Sequence, residues 1–184
     1  HVTDQFNVTG GIRYTDDFKR YTFIRMDPDG SPQSTLLGPI NGLSNTFSGK
    51  RWDYRVAADY RFSPEFLVYA QFATGYKGGG VSPRPILPGQ ELPYDPESVK
   101  SFEAGFKSDL MDRRLRLNVT GFYQKFNNIQ LQLGQCPAIS GPGAPCALTA
   151  NAGKARIQGA EAELDFRPVD GFSINASASI VDFK

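Results

Sequence analysis

Between Trp52 and Phe62 apolar residues hold every even position, Trp52, Tyr54, Val56, Ala58, Tyr60 and Phe62, while Asp53, Arg55, Ala57, Asp59 and Arg61 hold the odd ones. A period of two puts each set on one face of a β-strand, whereas a helix would scatter both around its circumference. The same split runs from Arg114 to Tyr123, where Leu115, Leu117, Val119, Gly121 and Tyr123 oppose Arg114, Arg116, Asn118, Thr120 and Phe122. It recurs from Phe172 to Ile180, with Phe172, Ile174, Ala176, Ala178 and Ile180 against Ser173, Asn175, Ser177 and Ser179. Weaker versions place Phe6, Val8, Gly10, Ile12 and Tyr14, then Phe66, Val68, Ala70 and Phe72, then Phe102, Ala104 and Phe106, then Ala160, Ala162, Leu164 and Phe166 on apolar faces. Seven strands are predicted, roughly over residues 5–26, 50–62, 65–77, 98–109, 113–133, 153–167 and 171–183.

The prolines mark the gaps between these strands, because a proline inside a sheet removes a ladder hydrogen bond. They cluster at Pro28, Pro32 and Pro39, at Pro83, Pro85, Pro88, Pro93 and Pro96, and at Pro137, Pro142 and Pro145, with Pro64 and Pro168 apart. Long connections, 27–49, 78–97 and 134–152, alternate with the tight turns RFSPEF, DLMDRR and RPVDG. In an up-and-down meander the long connections all emerge at one end and the short turns at the other.

A soluble β-sandwich also alternates apolar and polar positions. Three features favour a wall in lipid instead. The apolar faces run for about 10 residues or more, the length a tilted strand needs to cross a bilayer, against about 5 or 6 in soluble strands. Aromatic residues sit near strand ends, Trp52 and Tyr54 at one and Tyr60, Phe62, Phe166 and Phe172 at the other, where membrane interfaces hold them. The asymmetry of long and short connections is the third, since it matches the long external loops and short periplasmic turns of an outer-membrane barrel. Hydrocarbon offers no hydrogen bonds, so a sheet there must pair its backbone and close on itself. The predicted fold is therefore all-β: an antiparallel up-and-down transmembrane β-barrel, present here as a partial barrel of about seven strands. Arg13, Asp53, Arg55, Asp59, Arg61, Glu103, Lys107, Arg114, Arg116, Glu161, Glu163 and Asp165 are expected to face its lumen. At about 26 residues per strand a 22-stranded barrel needs about 580 residues, so 184 residues make about a third of one.

Composition narrows the chemistry. Twenty basic residues against 19 acidic ones leave a formal charge of +1, which supplies no field for holding nucleic acid. No run approaches the 18 or so apolar residues of a transmembrane helix, and the opening HVTDQFNV lacks a signal-peptide layout, so the chain reads as a mature segment or a fragment. The single histidine is His1, which excludes a Ser-His-Asp triad or a multi-histidine metal site within this segment. Two cysteines are too few for a four-cysteine zinc site and form either a disulfide or two thiols.

The runs FSPEFLVYAQFATGYKGGG (62–80), YDPESVKSFEAGFKSDLMDRRLRLNVTGFYQKFNNIQ (94–130) and NAGKARIQGAEAELDFRPVDGFSINASAS (151–179) closely resemble the barrel of TonB-dependent outer-membrane receptors. The opening TDQFNVTGGIRYTDD is similar to an earlier strand of the same barrel. The resemblance implies that residues 1–184 are part of one barrel domain, without the plug, the TonB box or the barrel-closing strand. It further implies a non-enzymatic receptor in the outer membrane of a Gram-negative bacterium, surrounded by outer-membrane lipid and without a cofactor. Such a receptor imports a scarce extracellular solute, a ferric siderophore first of all, or haem, cobalamin or an oligosaccharide, through the TonB complex.

Other motifs are weighed against that reading. Gly75, Gly78, Gly79 and Gly80 in GYKGGG lack the spacing of a phosphate-binding loop and are expected to form a flexible strand exit beside Lys77. Cys136 and Cys146 bracket PAISGPGAP, and an oxidising exterior favours a disulfide over two free thiols. Glu161, Glu163 and Asp165 could hold calcium, but lumenal acids more commonly face water or pair with arginine. Asn7-Val8-Thr9 and Asn118-Val119-Thr120 match a glycosylation pattern that strand periodicity produces by itself. Phe47, Lys77, Arg84 and Tyr94 are the candidate ligand contacts in the external loops, because aromatic and basic groups grip planar or anionic chelates.

Three other functions remain open at this stage. They are a passive porin-like channel, a soluble β-sheet binding module, and an outer-membrane hydrolase, the last disfavoured by the missing histidine. A plug-like domain upstream would separate active import from the channel, and partition into outer membrane would separate both from the soluble module.

Overall fold

The computed structural model describes residues 3–33 and 38–184; His1 therefore lies outside it. The chain forms β1 (Phe6–Thr22), β2 (Ser44–Ser63), β3 (Phe66–Lys77), β4 (Gly80–Val81), β5 (Pro93–Tyr94), β6 (Glu97–Leu110), β7 (Leu115–Asn127), β8 (Gln130–Leu133), β9 (Leu148–Asn151), β10 (Lys154–Val169) and β11 (Phe172–Phe183). A 3-10 turn at Gly38–Ile40 and a one-turn helix, α1 (Pro137–Ser140), are the helical pieces among the described residues. The seven long strands make one sheet in the order β1-β2-β3-β6-β7-β10-β11, antiparallel throughout. Each strand pairs with its neighbour in the chain, so this is the meander expected from the alternation of turns and loops.

Register decides whether the seven apolar faces coincide, since a slip of one residue would turn a strand over. They coincide. One row across the sheet reads Val8, Ala58, Ala70, Ala104, Gly121, Ala160 and Ile180. The row beside it reads Phe6, Tyr60, Val68, Phe106, Val119, Ala162 and Ala178. This face is open, with Ile12 74% exposed, Trp52 58% and Ile180 73%. The buried apolar clusters among the described residues lie elsewhere, at the long-loop end: Phe23, Ile40, Phe47 and Val81 in one, Cys136, Cys146 and Leu148 in the other. A sandwich in water would bury its sheet face, whereas this chain leaves that face bare and buries its loops.

Aromatic rings border the apolar face at two levels. Toward the loops, Tyr14 and Trp52 stack at 4.7 Å, and Tyr54, Phe72, Phe102 and Tyr123 follow at 5.8, 4.6 and 6.4 Å between centroids. Toward the turns, Phe6, Tyr60, Phe62, Phe66 and Phe106 follow at 6.5, 4.7, 5.9 and 5.7 Å. From Trp52 to Phe62 a strand advances about 33 Å; at a tilt of about 45° that covers about 23 Å, near the height of the apolar band of an outer-membrane barrel.

The structure corrects three boundaries. β1 ends at Thr22, not near 26, but β2 begins at Ser44, six residues before the expected start, because the β1–β2 ladder runs unbroken from Phe6↔Tyr60 to Thr22↔Ser44. The predicted strand 113–133 divides at Asn128, whose φ of 53° breaks the extended path; β8 then pairs with β9 as a separate hairpin within the third long loop. β4 and β5 likewise pair inside the second. Pro168 sits where the β10–β11 register shifts between Phe166 and Val169, the irregular place a proline needs.

Candidate ligand-binding mouth

The residues opposite the apolar face form an ionic, hydrogen-bonded surface. Asp53 is 5% exposed, and a buried carboxylate is tolerated only with partners. Arg51 Nε donates to it at 2.9 Å, Thr74 Oγ1 donates at 3.1 Å, and the Arg13 guanidinium lies 3.6 Å away across the β1–β2 ladder. Arg55 donates twice to Gln71 Oε1, at 2.7 and 3.1 Å, Asn7 donates to Asp59 at 2.9 Å, and Tyr69 shares a 2.8 Å hydrogen bond with Thr120. Arg55, Asp59, Arg61, Tyr69, Glu103 and Lys107 line a shallow recess of about 590 Å³ on this side. At the turn end, Arg116 donates to both carboxylate oxygens of Asp109, at 2.7 and 3.3 Å.

The acids Glu161, Glu163 and Asp165 share this side, and their neighbours are polar: Asn118 Nδ2 donates to Glu163 at 3.5 Å, and Arg167 lies 3.4 Å from Asp165. Among the described residues, no three His, Cys, Asp or Glu side chains are placed to hold a metal ion.

Above the aromatic level the second long loop folds onto the same polar side of the β1–β2 extension. Odd positions carry the contact, as the strand period requires: Lys19 Nζ donates to the carbonyl of Gly79 at 2.7 Å and is paired with Asp17 at 2.9 Å, and Asn45 Nδ2 donates to the carbonyl of Glu91 at 2.8 Å. Phe47, 8% exposed, packs with Phe23, Ile40 and Val81, with the Lys19 ammonium 5.7 Å from its ring centroid. The glycines after Lys77 make this approach possible. A Cβ on Gly79 would collide with the Phe47 ring and the Tyr94 carbonyl, and one on Gly80 would sit 2.9 Å from the Tyr94 hydroxyl and 3.1 Å from that of Tyr21. The expected flexible exit is thus a packed one, with Gly79 and Gly80 both buried. Burial, with Tyr21 close by, holds the Tyr94 phenol above its ordinary range against the opposing effect of Lys19.

The second and third long loops lock together. Gln90 is fully buried, and its amide meets four partners: Nε2 donates to Ser140 Oγ at 2.7 Å and to the Pro145 carbonyl at 2.8 Å, while Oε1 accepts from the amides of Ile86 at 3.0 Å and Ala147 at 3.4 Å. Ser82, also fully buried, donates to the Ala147 carbonyl at 3.0 Å and accepts from the Thr149 amide at 3.1 Å. Asn151 bridges Asp95 and Asn128, and Gln130 Nε2 donates to the carbonyls of Gly78 at 3.0 Å and Asp95 at 3.1 Å. Cys136 and Cys146 are joined as a disulfide, their Cα atoms 5.8 Å apart, and both are buried beside Leu148.

The structure distributes the four candidate ligand contacts unequally. Lys77 and Arg84 are exposed, Tyr94 is half-buried, and Phe47 lies inside the packed contact between the first hairpin and the second loop. Phe47 and Tyr94 come together around Gly79. Gln90, Ser82, Gln130, Asn151, Lys19 and Tyr21 also make the contacts that hold these loops, and sequence reasoning missed all six. Nothing distinguishes Ser82, Gln90 and Asn151 from ordinary loop polarity, whereas Gln130 falls within the predicted strand 113–133 and Lys19 and Tyr21 stand at odd positions on the predicted strand 5–26.

Comparisons with known proteins agree with this architecture. The model of the family described as TonB dependent receptor-like, beta-barrel matches residues 1–183. Pesticin receptors from Yersinia enterocolitica and Yersinia pestis are each 25% identical over 181 residues, which is 98% of this chain and 24% of theirs. Among solved structures, the ferric yersiniabactin uptake receptor FyuA from Yersinia pestis superposes with a TM-score of 0.73 at 24% identity, covering 100% of this chain and 25% of that one. The siderophore receptor PiuA from Acinetobacter baumannii gives 0.69 at 19% identity, covering 99% and 24%. The copper transporter OprC gives 0.69 at 14%, covering 100% and 27%. The chain spans about a quarter of the length of these relatives.

Proposed function

The chain belongs to the TonB-dependent receptor-like β-barrel family, and from that premise we propose that it is part of the wall and mouth of an outer-membrane receptor importing a ferric siderophore. The observation that carries this reading is the single register placing every apolar face on one side and the ionic face on the other. Lipid meets the first side; plug and ligand occupy the second. The long loops point outward, and the second and third, fastened together and folded onto the ionic side, form part of the mouth. Lys77, Arg84 and Tyr94 bind the anionic or aromatic parts of the chelate there, and Phe47 supports them from beneath. The similar receptors for ferric yersiniabactin and for a siderophore support iron as the cargo. The TonB complex supplies the energy through parts of the receptor outside this segment.

Uptake by the full-length receptor tests this. A deletion strain grown under iron limitation is supplied with radioactive iron as hydroxamate, catecholate and phenolate chelates, and in parallel with copper, the cargo of the transporter OprC, which shares this fold. Restored uptake of one ferric chelate, lost when TonB is deleted, is the expected result. Uptake of copper alone, or uptake independent of TonB, would overturn it.

A further inference from the structure

On the outward face, one residue pair beyond the aromatic row of Phe102 and Tyr123, the register sets basic residues side by side on four adjacent strands. Lys100 on β6 pairs with Lys125 on β7, Lys125 pairs with Arg156 on β10, and Arg156 exchanges both backbone hydrogen bonds with Lys184, at 2.7 and 2.9 Å. All four share the parity of the apolar face: Lys100 with Phe102, Lys125 with Tyr123, Arg156 and Lys184 with Ala160 and Ile180. Lys154 stands at the next outward position of β10, opposite Asn127. None of these five has an ion pair among the described residues. In the row just below, the carboxylate of Asp182 accepts from Gln158 at 3.3 Å.

Like charges directly opposite each other repel and destabilise a sheet. Three such pairs in one row are therefore a cost unless something anionic lies across them. On the polar side Arg13, Arg51, Arg116 and Arg167 have carboxylate partners, and Arg55 and Arg61 donate to the Gln71 side chain and the Pro64 carbonyl. This outward row lies at one height, where the apolar face ends and aromatic rings mark the boundary of hydrocarbon and headgroups. Lysine and arginine reach from such a position along their aliphatic stems into the headgroup layer.

We infer that Lys100, Lys125, Arg156 and Lys184 form a binding row for the phosphate groups of a phosphorylated glycolipid in the outer leaflet, with Lys154 reaching the same headgroup from above. This rests on the barrel reading, which puts the long loops outside and this face in lipid. A row suits a headgroup with more than one phosphate, because a single phosphate could neutralise only adjacent members. The acyl chains of that lipid then lie over Phe102, Tyr123 and the small residues Ala104, Gly121 and Ala160 beneath them.

The full-length receptor is placed in nanodiscs containing bisphosphorylated lipid A, monophosphorylated lipid A or phosphatidylcholine alone, and retained lipid is measured by native mass spectrometry. The variant is Lys100→Gln/Lys125→Gln/Arg156→Gln, with Lys100→Arg/Lys125→Arg as the charge-preserving control. Wild type and control should retain bisphosphorylated lipid A over phosphatidylcholine, with less retained at high salt. The triple variant should bind it about a hundredfold more weakly. Equal retention by wild type and triple variant, or equal retention of all three lipids, overturns the inference. Heat-modifiable migration of each protein in the outer-membrane fraction reports separately on the barrel. A receptor that is absent from that fraction overturns the barrel reading, and this inference with it.

Discussion

The Gln90 amide donates to the carbonyl of Pro145 at 2.8 Å and so joins the second long loop to the disulfide-bearing third. With its other contacts the fully buried Gln90 amide bonds polar groups of both loops, the Ser140 hydroxyl and the Ile86 and Ala147 amides. Replacing it by leucine keeps much of the volume and leaves two acceptors and two amide donors without their partner. An unsatisfied buried polar group costs about 1–3 kcal/mol, so Gln90→Leu should open the joined loops while leaving the wall intact. Limited proteolysis of the full-length receptor should become at least tenfold faster between residues 82 and 149, with unchanged heat-modifiable migration. Unchanged cleavage would mean that the loops are held by other contacts.

The disulfide closes a short loop, with a sequence separation of 10, and in the chain-entropy account should stabilise by about 3 kcal/mol. The double substitution Cys136→Ser/Cys146→Ser should raise hydrogen exchange over residues 134–148. Exchange of the β3, β6 and β7 amides should stay at the wild-type rate, since their ladders do not depend on the loop. A loss of protection in those strands would show that the loop also braces the wall.

The two faces of β2 should respond oppositely to charge. Val56 is 52% exposed on the apolar side, and its neighbour Ala57 faces the polar recess. Val56→Arg should cost about 2–4 kcal/mol near the lipid midplane and lower the yield of folded receptor in the outer membrane. Ala57→Arg should fold at nearly the wild-type yield. Equal yields from the two variants would contradict a lipid-facing even side.

The β6–β7 turn holds Met111, Asp112 and Arg113 at φ of 55°, 55° and 67°, a left-handed path that L side chains resist. Glycine removes that steric cost. Arg113→Gly should stabilise the full-length receptor by about 1 kcal/mol, seen as a higher midpoint in thermal unfolding. A lower midpoint would assign the Arg113 side chain a contact worth more than the backbone strain.

Alternation alone was enough to read the wall. With side chains reversing at each residue, the runs 52–62, 115–123 and 172–180 each identified a face, and the chain order of short turns and long loops implied the meander. What alternation could not supply was register between strands. The row Lys100–Lys125–Arg156–Lys184 exists only because four strands pair at one height; along the chain these residues lie 25, 31 and 28 positions apart.

The long loops were the least legible part. Gln90, Ser82 and Asn151 sit in segments without periodicity, and each acquires its role from a partner tens of residues away, so no local pattern marks them. Phe47 illustrates the same limit: an aromatic residue in a predicted loop suggested a ligand contact, and tertiary packing set its ring among Phe23, Ile40 and Val81 with the Lys19 ammonium over it. The amino-acid order by itself determined which side of each strand avoids water, because that choice is local and repeats every two residues. Only the tertiary structure decided which strands align, which loops fasten together and which outward basic residues come to lie side by side, because those outcomes depend on contacts between residues far apart in the chain.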